Sequence, residues 1–488
     1  MRWLDAAVPV RMRRVAVLAP ADALRDVLVR VADAAAVEIG PPEGGPEGGA
    51  PGAAGGTGVT GDAGRRLPHA GHAVPPPALT AARPDLDRAE QAGRYDLLAG
   101  EAQLESYAAA AARRSGAAAL AGWVPASKLD SVAASVAEAG GALVSLRRPP
   151  GVQPPTLAAG APLRQSVAPL VQTYGTVPYA DIDPAWLAWA SYVLMFGMMF
   201  GDVGEGAFLV ATAVALRAGW PRWARRFRRA WPFVGGAGLT ATVFGLLYGD
   251  CFGPNGLVPA LWLDPLDRPD TLLVVAAGFG AVLLAGAYAL GTVNRWREGG
   301  WASMLYAPSG AAGTGLFLGA GAVTGGWYFA NHVLLAAGAV LAAVGLTLAA
   351  AGFLAESGGG GAGVTQAAVE LFDLVVRLGS NVVSFTRLAA FGLTHAALGL
   401  VVWDGARALW LRGGPSAAGV AFMAGAVCVF AVGTALAFRL EALVAAIQAL
   451  RLEYYELFSR VFVDRGRPFR PWHVPTVEWA PAATEEGA

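Results

Sequence analysis

Charged side chains inside two long apolar segments near the C-terminus are the residues of this sequence best suited to chemistry. The first segment, 371–403, contains Asp373, Arg387 and His395. An arginine near the middle of a membrane costs about 2.5–3.5 kcal/mol on insertion scales, so Arg387 is expected to face protein or water and to have a partner. At about 3.6 residues per turn the three side chains project within roughly 120° of one another, which predicts a polar stripe along this helix.

The last apolar segment, 416–452, and the residues directly after it contain a second line of polar side chains. These are Glu441, Gln448, Arg451 and Glu456. Two tilted helices could bring both lines into one seam, and two interpretations of that seam stay open. The charges form structural ion pairs that fix the register of the helices, or they form an ion path, because a proton relay requires carboxylates and a histidine at different depths. The staggered depths favour the ion path.

Eight apolar stretches between residues 184 and 452 predict an all-α transmembrane domain of eight helices. About 20 apolar residues cross a bilayer. The last two stretches exceed that length, so we expect long and tilted helices there. The stretches fall at about 185–200, 206–220, 231–248, 271–293, 305–324, 330–354, 371–403 and 416–452.

The charge of the loops predicts the orientation of these helices. Segment 221–230 contains five arginines, whereas 249–270 contains four aspartates and one arginine. Cytoplasmic loops are rich in Lys and Arg, and no signal-peptide core precedes Arg11. We therefore expect a multi-pass protein of the cell membrane with both termini in the cytoplasm.

The composition of the 488-residue chain excludes several classes of protein. Hydrophobic residues make up 55% and charged residues 15%, against about 25% charged residues in an ordinary soluble enzyme. Lys and Arg together number 36, as do Asp and Glu, so no positive charge excess indicates nucleic acid. The single lysine, Lys128, follows no Gly-rich phosphate loop, which excludes nucleotide hydrolysis by that route. The two cysteines lie far apart, and we predict no metal and no cofactor.

A small cytoplasmic α/β domain is predicted before the membrane region. Residues 1–39 read as a strand followed by a helix, and 85–183 as further helices and strands. Between them, 40–84 is rich in Gly, Pro and Ala. It holds too few large apolar side chains to offset its ordering entropy, which predicts a disordered linker. Residues 453–488 are expected to form a cytoplasmic C-terminal tail.

Four longer motifs resemble those of one family of membrane proteins. They are FGMMFGDVGEG at 196–206, GLLYGDCFG at 245–253, SFTRL at 384–388 and LRLEYYE at 450–456. In this order they resemble subunit I, also called subunit a, of the rotary V-type and A-type ATPases. Two shorter motifs, GWVP and YADIDP, are similar to the end of that family's cytoplasmic domain.

The resemblance implies roles for the charged residues described above. Arg387 falls where the family has the stator arginine that faces the carboxylates of the rotor ring, and Arg451 is the second arginine beside it. Asp202 and Glu205 belong to the hairpin motif, in which Glu205 stands where an aromatic residue or a histidine is usual. The residues implied for the ion half-channels are Glu441, His395, Asp373, Glu456, Gln448 and Ser384.

As a whole, the resemblance implies a stator subunit of the membrane sector, which couples proton or sodium translocation to rotation. Such a subunit is not catalytic alone, because ATP is made or used elsewhere in the complex. The expected partners are the proteolipid rotor ring, the central-stalk and peripheral-stalk subunits, and the lipid bilayer.

Two other classes stay open. The family's cytoplasmic domain usually contains a long coiled coil, which the linker-like sequence replaces here; this favours a non-transporting scaffold or a degenerate paralogue. The intact pair of arginine motifs disfavours both. A stand-alone secondary transporter should have interrupted helices in both halves, whereas the polar seam is confined to the last two segments.

Overall fold

Two compact units make up the chain. One comprises residues 9–157 together with the C-terminal residues from 466, and the other comprises 158–465. The computed structural model describes residues 9–40, 61–67, 75–149, 152–157, 162–358, 360–461 and 466–479.

The first unit is built on an antiparallel sheet. Strand β1 pairs with β4 over nine residues, from Met12 opposite Pro125 to Pro20 opposite Ala117, and the strand order is β2, β4, β1, β5 with β3 beside β4. Alternate residues of β1 are buried because successive side chains of a strand point to opposite faces. The strands are β1 (Met12–Pro20), β2 (Glu38–Ile39), β3 (Ala112–Arg114), β4 (Ala117–Pro125) and β5 (Ala142–Ser145).

Helices cover the apolar face of this sheet. Helix α1 buries Val27, Leu28 and Val31, which have i, i+1 and i+4 spacing on one helical face, in the same core as the buried residues of β1. The helices of this unit are α1 (Leu24–Ala34), α2 (Asp62–Arg65), α3 (Leu86–Gln91), α4 (Tyr95–Ala110) and α5 (Leu129–Glu138).

The C-terminal segment 466–479 completes the core of this unit. Trp472 and Val474 are buried, and the Trp472 ring lies 4.5 Å from that of Tyr107. The backbone of Leu79 donates to Pro475 O at 3.0 Å and accepts from Val477 N at 2.8 Å. The expectation of a separate tail therefore does not describe 466–479, because its apolar side chains have a core to enter.

The predicted linker, 40–84, is ordered where the structure describes it. Residues 61–67 include α2, and within 75–84 the side chain of Leu79 is fully buried. Its few apolar residues are thus placed against a folded core, which the local composition does not indicate. The segments 41–60 and 68–74 lie outside the described residues.

The second unit is helical. Its helices are α6 (Pro162–Tyr174), α7 (Ala185–Met199), α8 (Val203–Ala218), α9 (Trp231–Tyr248), α10 (Pro269–Tyr306), α11 (Ala311–Tyr328), α12 (His332–Glu356), α13 (Gly360–Ser384), α14 (Thr386–Trp410), α15 (Ala417–Leu452) and α16 (Ser459–Val461). A 3₁₀ segment, Arg222–Ala230, precedes α9, and a π-helical segment, Glu453–Phe458, follows α15.

Five helical segments among the described residues are long and apolar enough to cross a membrane, so the chain is a multi-pass membrane protein. They are Arg222–Tyr248, Pro269–Tyr306, His332–Glu356, Gly360–Trp410 and Ala417–Val461. The other three of the eight expected spans correspond to α7, α8 and α11, which have 15, 16 and 18 residues. These helices are shorter than the roughly 20 residues that cross a bilayer, so eight spans are not confirmed.

Small residues let α8 and α9 pack with their backbones close together. A Cβ at Gly245 would lie 2.4 Å from Val203 N, and one at Gly206 would lie 2.6 Å from Thr242 N. Both distances are too short for any side chain. This packing brings the start of α8, with Asp202 as its N-cap, next to the end of α9.

Candidate functional site

A buried cluster joins three ionisable side chains from three helices. Helix α14 supplies His395, α15 supplies Glu441 and α8 supplies Glu205. His395 Nδ1 is hydrogen-bonded to Glu441 Oε2, and one ligand atom of each residue lies within 4.8 Å of the other two. His395 is 7% exposed and Glu205 4% exposed. We call these three residues the Glu-His-Glu cluster.

Asp202 fixes the backbone beside this cluster. Its Oδ1 accepts from Glu205 N at 2.8 Å, as an N-cap carboxylate does. Its Oδ2 accepts from Gly253 N at 3.0 Å, in the loop that follows α9. Asp202 is fully buried, and its charge is stabilised by these two amides. It therefore holds Glu205 in place and is not itself part of the cluster.

The Glu-His-Glu cluster lines a small cavity of about 10 Å³, near the lower limit for holding one water molecule. Phe200 packs against His395 with ring centroids 5.0 Å apart. The other lining residues, apart from the cluster itself, are Phe252, Gly253, Gly399, Val402, Thr434 and Ala437. The walls are therefore mainly apolar around three ionisable groups.

Arg387 begins the second half of the segment 371–403. The helix is interrupted at Phe385, whose N–H donates to Val382 O and whose carbonyl accepts from Leu388 N. The Phe385 ring is fully buried against Gly280 of α10, where a Cβ would lie 2.1 Å from Phe385 Cγ. This contact fixes the turn that presents Arg387.

Two further charges surround Arg387. The exposed guanidinium of Arg451 and the half-buried carboxylate of Glu456 are close enough to act on it electrostatically. In the part of the chain that the structure describes, the half-buried guanidinium of Arg387 makes no hydrogen bond and no ion pair. A hydrogen-bond acceptor for Arg387 can therefore come from outside the described residues.

Glu456 lies in a polar network with Asn381 and Arg460. In the amide orientation that satisfies both partners, Asn381 donates to Glu456 Oε2 at 2.7 Å and accepts from Arg460 Nη2 at 2.8 Å. Ser384 lies close to Glu456. The structure therefore brings Ser384, Arg387, Arg451 and Glu456 into one neighbourhood.

Asp373 and Gln448 lie outside both groups of contacts. Asp373 Oδ2 forms an ion pair with Arg377 Nε at 2.6 Å, and both side chains are more than half exposed. Asp373 thus has a partner one turn away on α13, and the polar stripe along 371–403 stays a prediction. The half-buried Gln448 has an Oε1 atom without a hydrogen-bond partner among the described residues.

Glu453 is a buried carboxylate that sequence analysis missed. It is fully buried, and its Oε2 accepts from Ser191 Oγ at 2.7 Å. It lies in the π-helical segment Glu453–Phe458, and such segments occur frequently at functional sites. The sequence feature that could have indicated Glu453 is its position two residues after Arg451, at the end of an apolar run.

Asp250 is a buried carboxyl in the loop between α9 and α10. It is 3% exposed, and burial raises the pKa of Asp250 to about 7, with a smaller opposing effect of His395. Its backbone carbonyl accepts from Val203 N at 2.9 Å. This loop therefore contributes a titratable group beside the start of α8.

Comparisons with known proteins agree with the motifs. The family model described as "V-type ATPase 116kDa subunit family" matches residues 108–255. The A-type ATP synthase subunit I of Aeropyrum pernix is 26% identical over 358 residues, which cover 63% of this chain and 50% of the relative. That of Halobacterium salinarum is 24% identical over 367 residues, covering 62% and 49%. That of Archaeoglobus fulgidus is 31% identical over 141 residues, covering 28% and 19%.

These comparisons support the resemblance to subunit I of the V/A-type ATPases that the motifs indicate. The chain spans about half the length of the curated relatives it matches over most of its sequence. The family-model match includes Asp202 and Glu205, whereas Arg387, His395 and Arg451 lie beyond its last residue.

Proposed function

We propose that this chain is the stator subunit of the membrane sector of a rotary V/A-type ATPase or ATP synthase. In this proposal Arg387 faces the carboxylates of a proteolipid rotor ring, and the chain assembles with central-stalk and peripheral-stalk subunits. The names of the relatives, A-type ATP synthase subunit I, support the assignment to such a complex. The chain alone would not be catalytic.

The single observation that supports this role most directly is the state of Arg387. It is a half-buried cation in a membrane segment, has no hydrogen bond or ion pair among the described residues, and is held by the buried contact of Phe385 with Gly280. A cation in such a place needs an acceptor. A carboxylate on a neighbouring, moving subunit would supply it intermittently.

The attraction between Arg387 and a ring carboxylate would be strong enough to make that carboxylate release its proton. At about 4 Å and an effective dielectric constant of roughly 20, opposite unit charges attract by ~4 kcal/mol. That energy corresponds to about a thousandfold lower proton affinity of the carboxylate. A ring carboxylate would therefore release its proton opposite Arg387 and take one up again elsewhere.

Two groups of residues are proposed to line the half-channels. The Glu-His-Glu cluster, with Gln448 further along α15, would belong to the outer half-channel. Glu456, Ser384 and Asp373 would lie toward the cytoplasmic one, and both termini would lie in the cytoplasm. Hydrogen-bonded acceptors and donors at different depths suit proton transfer better than a purely structural ion pair.

Transport by the assembled complex tests the proposal. In sealed vesicles containing the whole complex, Arg387→Ala should abolish ATP-driven ion transport while the proteolipid ring still co-purifies. Arg412→Ala, which removes an exposed arginine of the loop after α14, is the matched control and should transport normally. Undiminished transport by Arg387→Ala would overturn the assignment and leave a scaffold role.

A further inference from the structure

We propose that Glu205, His395 and Glu441 bind one divalent transition-metal cation of the Zn²⁺ class. This goes beyond the proposed function, and the binding does not depend on it. The sequence alone predicts no metal here, because the three ligands come from helices that are distant in sequence. Their juxtaposition is a product of the packing of α8, α14 and α15.

The donor set has the chemistry of a transition-metal site. Imidazole and carboxylate are usual ligands of Zn²⁺, with metal–ligand distances of about 2.0–2.2 Å. Tetrahedral geometry at those distances separates neighbouring ligand atoms by about 3.3 Å. The ligand atoms of the Glu-His-Glu cluster already lie within 4.8 Å of one another, so rotation of side-chain torsions can close them onto an ion.

Two carboxylate oxygens in the cluster are unused. Glu205 Oε2 and Glu441 Oε1 are buried and have no hydrogen-bond partner among the described residues. Glu205 is more than nine-tenths buried. An unpaired buried acceptor is costly, and a bound cation would satisfy both oxygens at once.

The charge balance favours a doubly charged ligand. Two carboxylates face one imidazole, and among the described residues no lysine or arginine lines the cavity. The nearby carboxylate of Asp202 is already paired with backbone amides. Two acidic ligands and one imidazole, with no opposing cation among the described lining residues, suit a doubly charged ion.

The cavity can accommodate one ion. Its volume of about 10 Å³ is near the lower limit for a single water molecule, which excludes a hydrated cation. The ion would therefore bind after losing most of its water, with any open coordination position facing Thr434 or the backbone of Gly253. Asp202 acts here as a positioning residue, since it holds the backbone of Glu205 and closes Gly253 over the cavity.

Co²⁺ binding to the purified, chelator-treated full-length chain in detergent tests the proposal, because Co²⁺ reports its coordination by visible absorption. We expect one Co²⁺ per chain with bands typical of four or five ligands, and displacement by equimolar Zn²⁺. Loss of an outer-shell partner typically weakens metal affinity 10- to 100-fold. Glu205→Gln and His395→Gln each remove a direct ligand, so each should weaken binding at least about tenfold.

The control is His332→Gln, which removes an exposed histidine at the start of α12 and should leave binding unchanged. Thermal unfolding of each variant verifies that it is folded, and Glu205→Asp provides a variant that keeps the charge but shortens the reach. Absence of stoichiometric Co²⁺ binding to the wild-type chain would overturn the proposal. So would binding of equal affinity in folded Glu205→Gln.

Discussion

Asp202 ties the first turn of α8 to the loop after α9 by accepting a hydrogen bond from the backbone N–H of Gly253 at 3.0 Å. The same carboxylate caps α8 through Glu205 N. The buried side chain of Asp202 thus fixes the backbone of Glu205 in the Glu-His-Glu cluster. It also fixes the backbone of Gly253, which lines the cavity. The two backbone amides need both carboxylate oxygens, a requirement that an amide side chain cannot meet.

Asp202→Asn should therefore destabilise the chain by about 1–3 kcal/mol, because one buried amide loses its acceptor. The measurement is thermal or denaturant unfolding of the purified chain in detergent. Asp404→Asn, at an exposed position of α14, should change the stability by less than about 0.5 kcal/mol. Equal stability of the two variants would contradict the role given to Asp202.

Gly280→Ala should displace Phe385 and with it Arg387. The added Cβ would lie 2.1 Å from Phe385 Cγ, so the buried ring must move. We expect a loss of stability of about 1–3 kcal/mol, as for other overpacked cores, and reduced ion transport by the assembled complex.

Gly278→Ala is the matched control for this change. It lies two residues before Gly280 on the same helix, and a Cβ there would meet nothing within 4 Å. Transport and stability of this variant should equal those of the wild type or exceed them slightly, since alanine favours the helix. A Gly280→Ala protein indistinguishable from Gly278→Ala would rule out the contact with Phe385 as the support of Arg387.

Asp250 should make stability depend on pH. Its pKa in the folded chain is about 7, against an ordinary value of 3.8. A raised carboxyl pKa means that the folded state favours the protonated form. The stabilisation is therefore complete below about pH 4 and is lost as the pH rises through about 7.

Asp250→Asn should remove this dependence, because the amide cannot ionise. The midpoint of thermal unfolding, measured from pH 5 to pH 8, should fall more steeply for the wild type than for the variant. Asp267→Asn, in the same loop but exposed, should keep the wild-type profile. Parallel wild-type and Asp250→Asn profiles would contradict a buried titrating carboxyl at this position.

Local pattern was sufficient to predict several features. The apolar runs predicted helices over 231–248, 330–354 and 416–452, where the structure has Trp231–Tyr248, His332–Glu356 and Ala417–Leu452. Isolated charges in the runs 371–403 and 416–452 drew attention to His395 and Glu441, which are in contact. Both inferences depend on near-neighbour periodicity, which a single sequence records directly.

Contacts between distant segments were beyond such reasoning. Nothing local shows that Glu205 lies beside His395, or that Ser191 hydrogen-bonds to Glu453, because helix crossings depend on the mutual fit of whole surfaces. The interruption of the helix at Phe385 is likewise not evident from the periodicity of 371–403. The ion pair of Asp373 with Arg377, by contrast, is a local contact between residues four positions apart.

The place of Trp472 and Val474 in the core of the first unit constrains how the protein is made. The sheet of that unit is encoded before residue 146, yet its core stays incomplete until the segment 466–479 has left the ribosome. The core of the first unit therefore remains incomplete during the synthesis of the entire helical region. A chaperone that shields this exposed core during translation would be expected to raise the yield of folded protein.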